Sequence, residues 1–194
     1  MSLQQFTIII LLSFFSLNVV AIPKIYLFNV PLKAIPAKMQ GDKMLLVSIP
    51  KAAPGFDTSA LAYTNDGYEI KYHDGVQWAD SPTRMLLPLL VHYLETSGKF
   101  KAVLSATTAP IASELRLDTE ILRLQQEFFT EPSQVRLVLR VQLFDMAKRQ
   151  VKSTQVFEII ENAVSKDAEG SIFATNEAVV IFLNKLVKFV INQL

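Results

Sequence analysis

Two histidines, His73 and His92, are the only imidazoles in the 194 residues, and no cysteine accompanies them. A chain without cysteine has no disulfide, no thiolate zinc site and no cysteine nucleophile. Neither histidine has a partner at metal-ligand spacing, and no HExxH or DxDxDG pattern occurs. They read as a surface histidine closing a strand and a histidine on a helix face. No GxSxG elbow, phosphate-binding GxxxxGK loop or GxGxxG turn is present, and the six glycines fall singly at turns. The carboxylate pairs Asp118/Glu120 and Glu158/Glu161 sit at the spacing of solvated strand faces. To act as a general acid and base they would have to converge across the fold. Arg116, Arg123, Arg136 and Arg140 form either a basic patch for a partner or anionic headgroup, or a solvated sheet face. The interleaved acids favour the second. Trp78 with Tyr63, Tyr68, Tyr72 and Tyr93 would suit base stacking only beside a basic stripe, and the net charge is +1. These residues point away from an enzyme, a metal site, a cofactor and nucleic acid, and towards a binding or assembly module.

The elements that carry them read as an α+β fold. With 51% apolar residues the chain is long enough for one domain with a substantial core. Met44–Ile49 is an apolar run of buried-strand type, and Ile25–Phe28 is positioned to add a strand. Asn65-Asp66-Gly67 between Tyr63 and Tyr68 is a hairpin signal, because these residues tolerate the positive φ of tight turns. Tyr68, Ile70 and Tyr72 alternate with Glu69, Lys71 and His73, which predicts a half-buried strand with the aromatics inside. Trp78 then stands in an exposed-looking connection. Ser81 as cap and Pro82 at the first helical position open a helix over about 82–97, with Leu86, Leu89, Leu90, Tyr93 and Leu94 on one face and Gly98 as its stop. Pro88 inside it predicts a kink. Phe100, Ala102 and Leu104 form a short strand.

The second half predicts an antiparallel meander. Leu115, Leu117, Thr119 and Ile121 alternate, the phase slips at Ile121-Leu122, as at a bulge or where burial on one face ends, and Glu131-Pro132-Ser133 turns the chain. Val135, Leu137, Leu139, Val141 and Leu143 then make the clearest period-2 stripe in the sequence. After Ala147–Gln150 a strand runs from Val151 to about Glu161. A second helix over about 171–192 shows Ile172, Asn176, Val179, Leu183, Leu186, Val187 and Val190 at helical spacing, with Phe182 and Phe189 widening its apolar face. Two helices over one face of a largely antiparallel or mixed sheet give a two-layer domain.

The start of the chain is read separately. Phe6–Leu17 is an unbroken apolar run, and Val19 and Ala21 satisfy the small-residue rule for cleavage after Ala21. Residues 1–21 read as a secretory signal. The alternatives are a retained anchor, at the roughly 17-residue lower limit for crossing hydrocarbon, and a buried helix. Residues 22–42, with three prolines, read as an extended lead-in to a domain over 43–194.

One ordered set of segments resembles the auxiliary-component family of ABC-type transport systems. The segments are Leu45–Pro50, Pro54-Gly55-Phe56-Asp57, Ala62-Tyr63, Tyr68-Glu69-Ile70, Trp78-Ala79, the helix Met85–Leu94 with Ser97-Gly98, Leu115–Leu117 and Val135–Asp145. The resemblance runs from about Ile25 to the C-terminus. It implies a non-catalytic periplasmic subunit without cofactor. Such a subunit binds an MCE-type (mammalian-cell-entry) protein and, through it, an ABC permease and ATPase, with phospholipid contact and a homo-oligomer as further prospects. A periplasmic lipid or small-molecule carrier, with the C-terminal helix lining a cavity, is the other reading. Under the resemblance Pro54, Gly55, Asp57, Tyr63, Tyr68 and Trp78 are the interaction or motif positions. Pro54-Gly55 would turn the chain after the first strand, Asp57 would bond that loop, and Tyr63 and Tyr68 would flank the hairpin. Trp78 would pin the helix entrance or face a partner. Family members typically carry an acylated lipobox cysteine near this point, whereas here the residues are Val19-Val20-Ala21-Ile22-Pro23 and the chain has no cysteine to acylate.

Overall fold

The computed structural model describes residues 22–107 and 112–194; the signal or anchor segment at 1–21 lies outside them. The α+β architecture is as read: a mixed nine-stranded sheet with two helices. The strands are β1 (Lys24–Tyr26), β2 (Met44–Val47), β3 (Lys51–Ala52), β4 (Ala60–Thr64), β5 (Lys71–Trp78), β6 (Ala102–Ser105), β7 (Leu115–Glu127), β8 (Gln134–Asp145) and β9 (Gln150–Asn162). The helices are α1 (Pro82–Thr96) and α2 (Ala168–Ile191).

β7 is the spine. Along one side it takes β2, β3 and β4 in succession, all parallel, at Leu45↔Leu115, Lys51↔Glu120 and Tyr63↔Gln126. Along its other side runs β8, antiparallel, and β9 follows β8 as the meander predicts. The outer strands β6, β5 and β1 extend β2 and β4. The phase slip in the sequence is a bulge: the register shifts between Ile121 and Arg123, with Leu122 as the extra residue. Beyond it the odd-numbered residues of β7 replace the even ones opposite Arg136 and Gln134.

The core lies between the meander and α2. Val135, Leu137, Leu139, Val141 and Leu143 are all 2% exposed or less, and so are Phe182, Leu183, Leu186 and Val190. Phe157 of β9 meets Phe182 and Phe189 edge-on, with ring centroids 5.5 and 5.8 Å apart. Burying one such side chain is worth about 1.5–3 kcal/mol, against which the cost of ordering it is set.

Several expectations shift. α2 begins at Ala168 rather than Ser171, because Asp167 caps it by accepting from the Gly170 N–H at 2.9 Å. α1 ends at Thr96, and Gly98 at φ +65° supplies the left-handed stop. Ser81 makes no side-chain cap bond to α1; its hydroxyl meets that of Thr83 at 2.9 Å. The first core strand stops at Val47, and Ile49 is largely exposed. β1 covers Lys24–Tyr26 rather than Ile25–Phe28, and Phe28 and Val30, just after it, are buried in the core.

Candidate functional site

The motif positions fall into two groups. Around the entrance to α1, Trp78 ends β5 and is 3% exposed, so the exposed connection read from the sequence is a buried one. Its ring meets Phe28 edge-on at 5.1 Å, its backbone N–H donates to the Ser59 carbonyl at 2.7 Å, and the next backbone N–H, of Ala79, donates to the Tyr26 carbonyl at 2.6 Å. The backbone of Trp78-Ala79 therefore ties β1 and the loop before β4 to the helix entrance, while the Trp78 ring packs on Phe28 just past β1. Asp57 bonds this region from the other side, accepting from the Thr83 hydroxyl at 3.1 Å. Gly55 turns at φ +91°, a conformation that side chains with a Cβ rarely adopt, and its carbonyl accepts from the Tyr72 hydroxyl at 3.1 Å. Pro54 is exposed on that turn.

The second group lies at the far end of β4 and β5. The hairpin is present but wider than a two-residue turn. Ala62 opposes Tyr72, Tyr63 opposes Lys71, and residues 65–70 form the loop. Asp66 accepts from the Tyr68 and Glu69 N–H groups at 2.8 and 3.0 Å, and these bonds hold its carboxyl below the usual range. Thr64 accepts from the Gly67 N–H at 2.9 Å. Tyr68, at 96% exposed, stands out from this loop. The predicted phase of the strand is reversed: Tyr68 and Ile70 precede β5, Tyr72 faces outward, and His73 takes the inner position. The reason is tertiary. Tyr63 and Phe128 converge on His73 at centroid distances of 4.6 and 6.1 Å, so the inner slot is an aromatic box built around an imidazole rather than a tyrosine. His73 is thus half-buried, not a surface residue.

Burial lowers the affinity of His73 for a proton, opposed by Gln126, Asp167 and Asp74. Gln126, fully buried, donates to the Ser133 hydroxyl at 3.2 Å and the Ser165 carbonyl at 3.3 Å. Phe128, Gln126 and Asp167 escaped the sequence reading. The adjacent aromatics Phe128-Phe129 just past a strand were the only local signal for them. Phe129, half-exposed, lies beside Gly67 under the Tyr68 loop.

The outer face of the meander bears the arginines, of which Arg116, Arg136 and Arg140 are each matched by an acid. Arg116 holds Asp118 through two bonds of 3.0 and 2.9 Å and lies 4.4 Å over the Phe144 ring. Arg140 meets Glu120 at 2.5 Å. Arg136 binds Glu127 at 2.7 and 3.0 Å and also pairs with Glu158. Burial alone would raise the Glu127 carboxyl, but the bonds from Arg136 and Gln134 outweigh it and hold it low. Arg123 is exposed beyond the bulge. The four arginines thus share a sheet face, interleaved with carboxylates as a solvated face would be. Among the described residues no group of three or more histidine or carboxylate side chains is placed to hold a metal ion, and no helix is long and apolar enough to cross a membrane.

The same fold occurs in solved structures. A protein of the DUF330 family from Xanthomonas campestris superposes with TM-score 0.78 at 24% identity, over 88% of this chain and 95% of that one. An uncharacterized protein superposes at 0.68 with 11% identity, over 87% and 99%. A hypothetical protein of Chlamydia trachomatis gives 0.55 at 10%, over 78% and 98%. No curated protein matches the chain. The family model described as "ABC-type transport auxiliary lipoprotein component" matches residues 26–186, from β1 to the last turns of α2. The chain therefore belongs to the family of ABC-type transport auxiliary lipoprotein components, a family of envelope proteins that assist transport.

Proposed function

We propose that this protein is a non-catalytic periplasmic subunit of an MCE-type intermembrane lipid transport system, which binds the periplasmic MCE protein and supports envelope integrity. The observation that carries the reading is the family match over nearly the whole described chain. ATP hydrolysis belongs to a separate subunit, because the sequence holds no nucleotide-binding motif. Of the motif positions, Tyr68 is the partner contact. It is an exposed aromatic on a hydrogen-bonded loop, seconded by Phe129, and aromatic anchors of this kind dominate binding energies. Pro54, Gly55, Asp57, Tyr63 and Trp78 shape the scaffold that presents it. The carrier reading is the weaker one, because the apolar face of α2 closes on the sheet instead of lining a cavity.

The test is affinity recovery from envelope extract of the full chain beside a Tyr68→Ala variant. Recovery of an MCE protein by the parent and its loss at unchanged thermal stability in the variant supports the assignment. Recovery of phospholipid without any MCE protein favours the carrier.

A further inference from the structure

We infer that the free edge of β9 and the adjoining side of α2 form a docking groove for an extended segment that is acidic on one face and apolar on the other. Among the described residues β9 pairs with β8 alone, so one edge of a 13-residue strand presents its backbone N–H and C=O groups to solvent. Such edges recruit a further strand. Beside this edge a groove of about 410 Å³ is lined by residues 155–158 of β9, Glu158 among them, and by Lys185, Lys188, Phe189 and Asn192 along α2 and its C-cap. Its floor is the edge-on Phe157–Phe189 pair. Lys185 and Lys188 rise on its helical wall, both exposed, and neither takes part in an ion pair among the described residues. They contrast with Arg116, Arg136 and Arg140, whose charges are all matched.

Charge decides the occupant. On the helix side the docked strand meets two cations, and on the outer side it meets Val156 and Ile160, 53% and 43% exposed, with the Arg136-paired Glu158 between them. Because side chains alternate across a strand, the complementary segment is one with acidic residues at every second position and apolar residues between them. Glu158 also lines the groove, but its carboxylate is paired with Arg136, so the two lysines carry the groove's unmatched charge among the described residues. A second copy fits less well. Antiparallel pairing of β9 with itself about an axis near Val156 would set Lys185 and Lys188 of one protomer against the same lysines of the other. The inference deepens the reading of a partner-binding subunit, and it locates a second contact on the side of the sheet where β9 forms the edge.

The test uses the full chain in mild detergent and a fluorescein-labelled decapeptide of alternating Glu and Val, followed by fluorescence anisotropy. Expected are saturable binding, a loss of at least about tenfold in the Lys185→Glu/Lys188→Glu variant with unchanged circular dichroism, and abolition when alternate peptide nitrogens are methylated. Undiminished binding of the N-methylated peptide, or equal binding of a Lys/Val peptide, overturns the inference. So does absence of binding by the folded parent chain, or a β9-paired dimer in sedimentation that the Glu/Val peptide fails to displace. No transporter subunit takes part, so a failed peptide titration and a failed recovery of an MCE protein report on separate claims.

Discussion

The two faces of the β7–β8–β9 meander share one backbone and one period, yet they are stabilised in opposite ways. The face under α2 is a stripe of aliphatic residues, Val135 to Leu143, closed by Phe182, Leu183 and Leu186. The other face is a ladder of ion pairs, Arg116–Asp118 within β7 and, across strands, Arg140–Glu120 and Arg136 with Glu127 and Glu158. The inner face is held by close packing, where each methylene counts. On the outer face solvent screens the charges, and its exposed pairs should contribute little. Glu127 is the exception: although it is on the outer face, its side chain is only 2% exposed, and it behaves energetically as a core residue.

Substitutions measure this contrast. The largest loss is expected for Phe182→Ala, about 3–5 kcal/mol, because the ring is fully buried against Phe157. Trp78→Ala should cost a similar amount, and urea unfolding followed by far-ultraviolet circular dichroism reads both. Full stability in Trp78→Ala would show that the ring's packing on Phe28 does not hold the segment after β1 to the helix entrance. Glu127→Ala should cost about 3 kcal/mol by leaving Arg136 partly buried with one partner fewer. A loss as small as that of Arg140→Ala, well under about 1 kcal/mol, would dissolve the distinction drawn for Glu127.

His73 gives a pH test. Its folded proton affinity lies below the unfolded value near 6.5, so between those two values the unfolded chain binds more protons than the folded one. The contribution of the aromatic box is then complete above about pH 6.5 and declines as the pH falls towards the folded value, with no further loss from this group below it. Thermal midpoints of the parent and His73→Phe between pH 8 and 5 should converge or cross as the pH falls. Parallel curves would show that His73 titrates as in the unfolded chain. Glu127, Asp66 and Asp167, all held low, contribute stability that is lost in a separate window, as the pH falls through and below about 4.5. The smallest effect expected is that of Asp167→Asn, which keeps a capping oxygen and should change the midpoint less than Asp167→Ala.

Local pattern carried much of this fold. The period-2 stripe of β8, the bulge at Leu122, the meander turns and both helices were legible because each depends on residues within one turn or one strand of its neighbours. The family resemblance was legible in the same way, as an ordered set of short segments. The site was less so. Tyr63 and Tyr68 were placed at the hairpin, but Phe128, Gln126 and Asp167, which complete the box with His73, come from elements far along the chain.

What the amino-acid sequence determined by itself was therefore the identity and order of the elements, since alternation and helical spacing are short-range properties of the backbone. The tertiary structure alone decided which face of an element is buried when its pattern is ambiguous. β2, β3 and β4 line up parallel along β7, and this non-local pairing sends His73 inward and Tyr72 outward and buries Trp78 beside Phe28, while β9 is an edge among the described residues. Burial is settled by what lies opposite a residue in space, and a parallel partner brought from tens of residues away leaves no periodic trace in the strand that receives it.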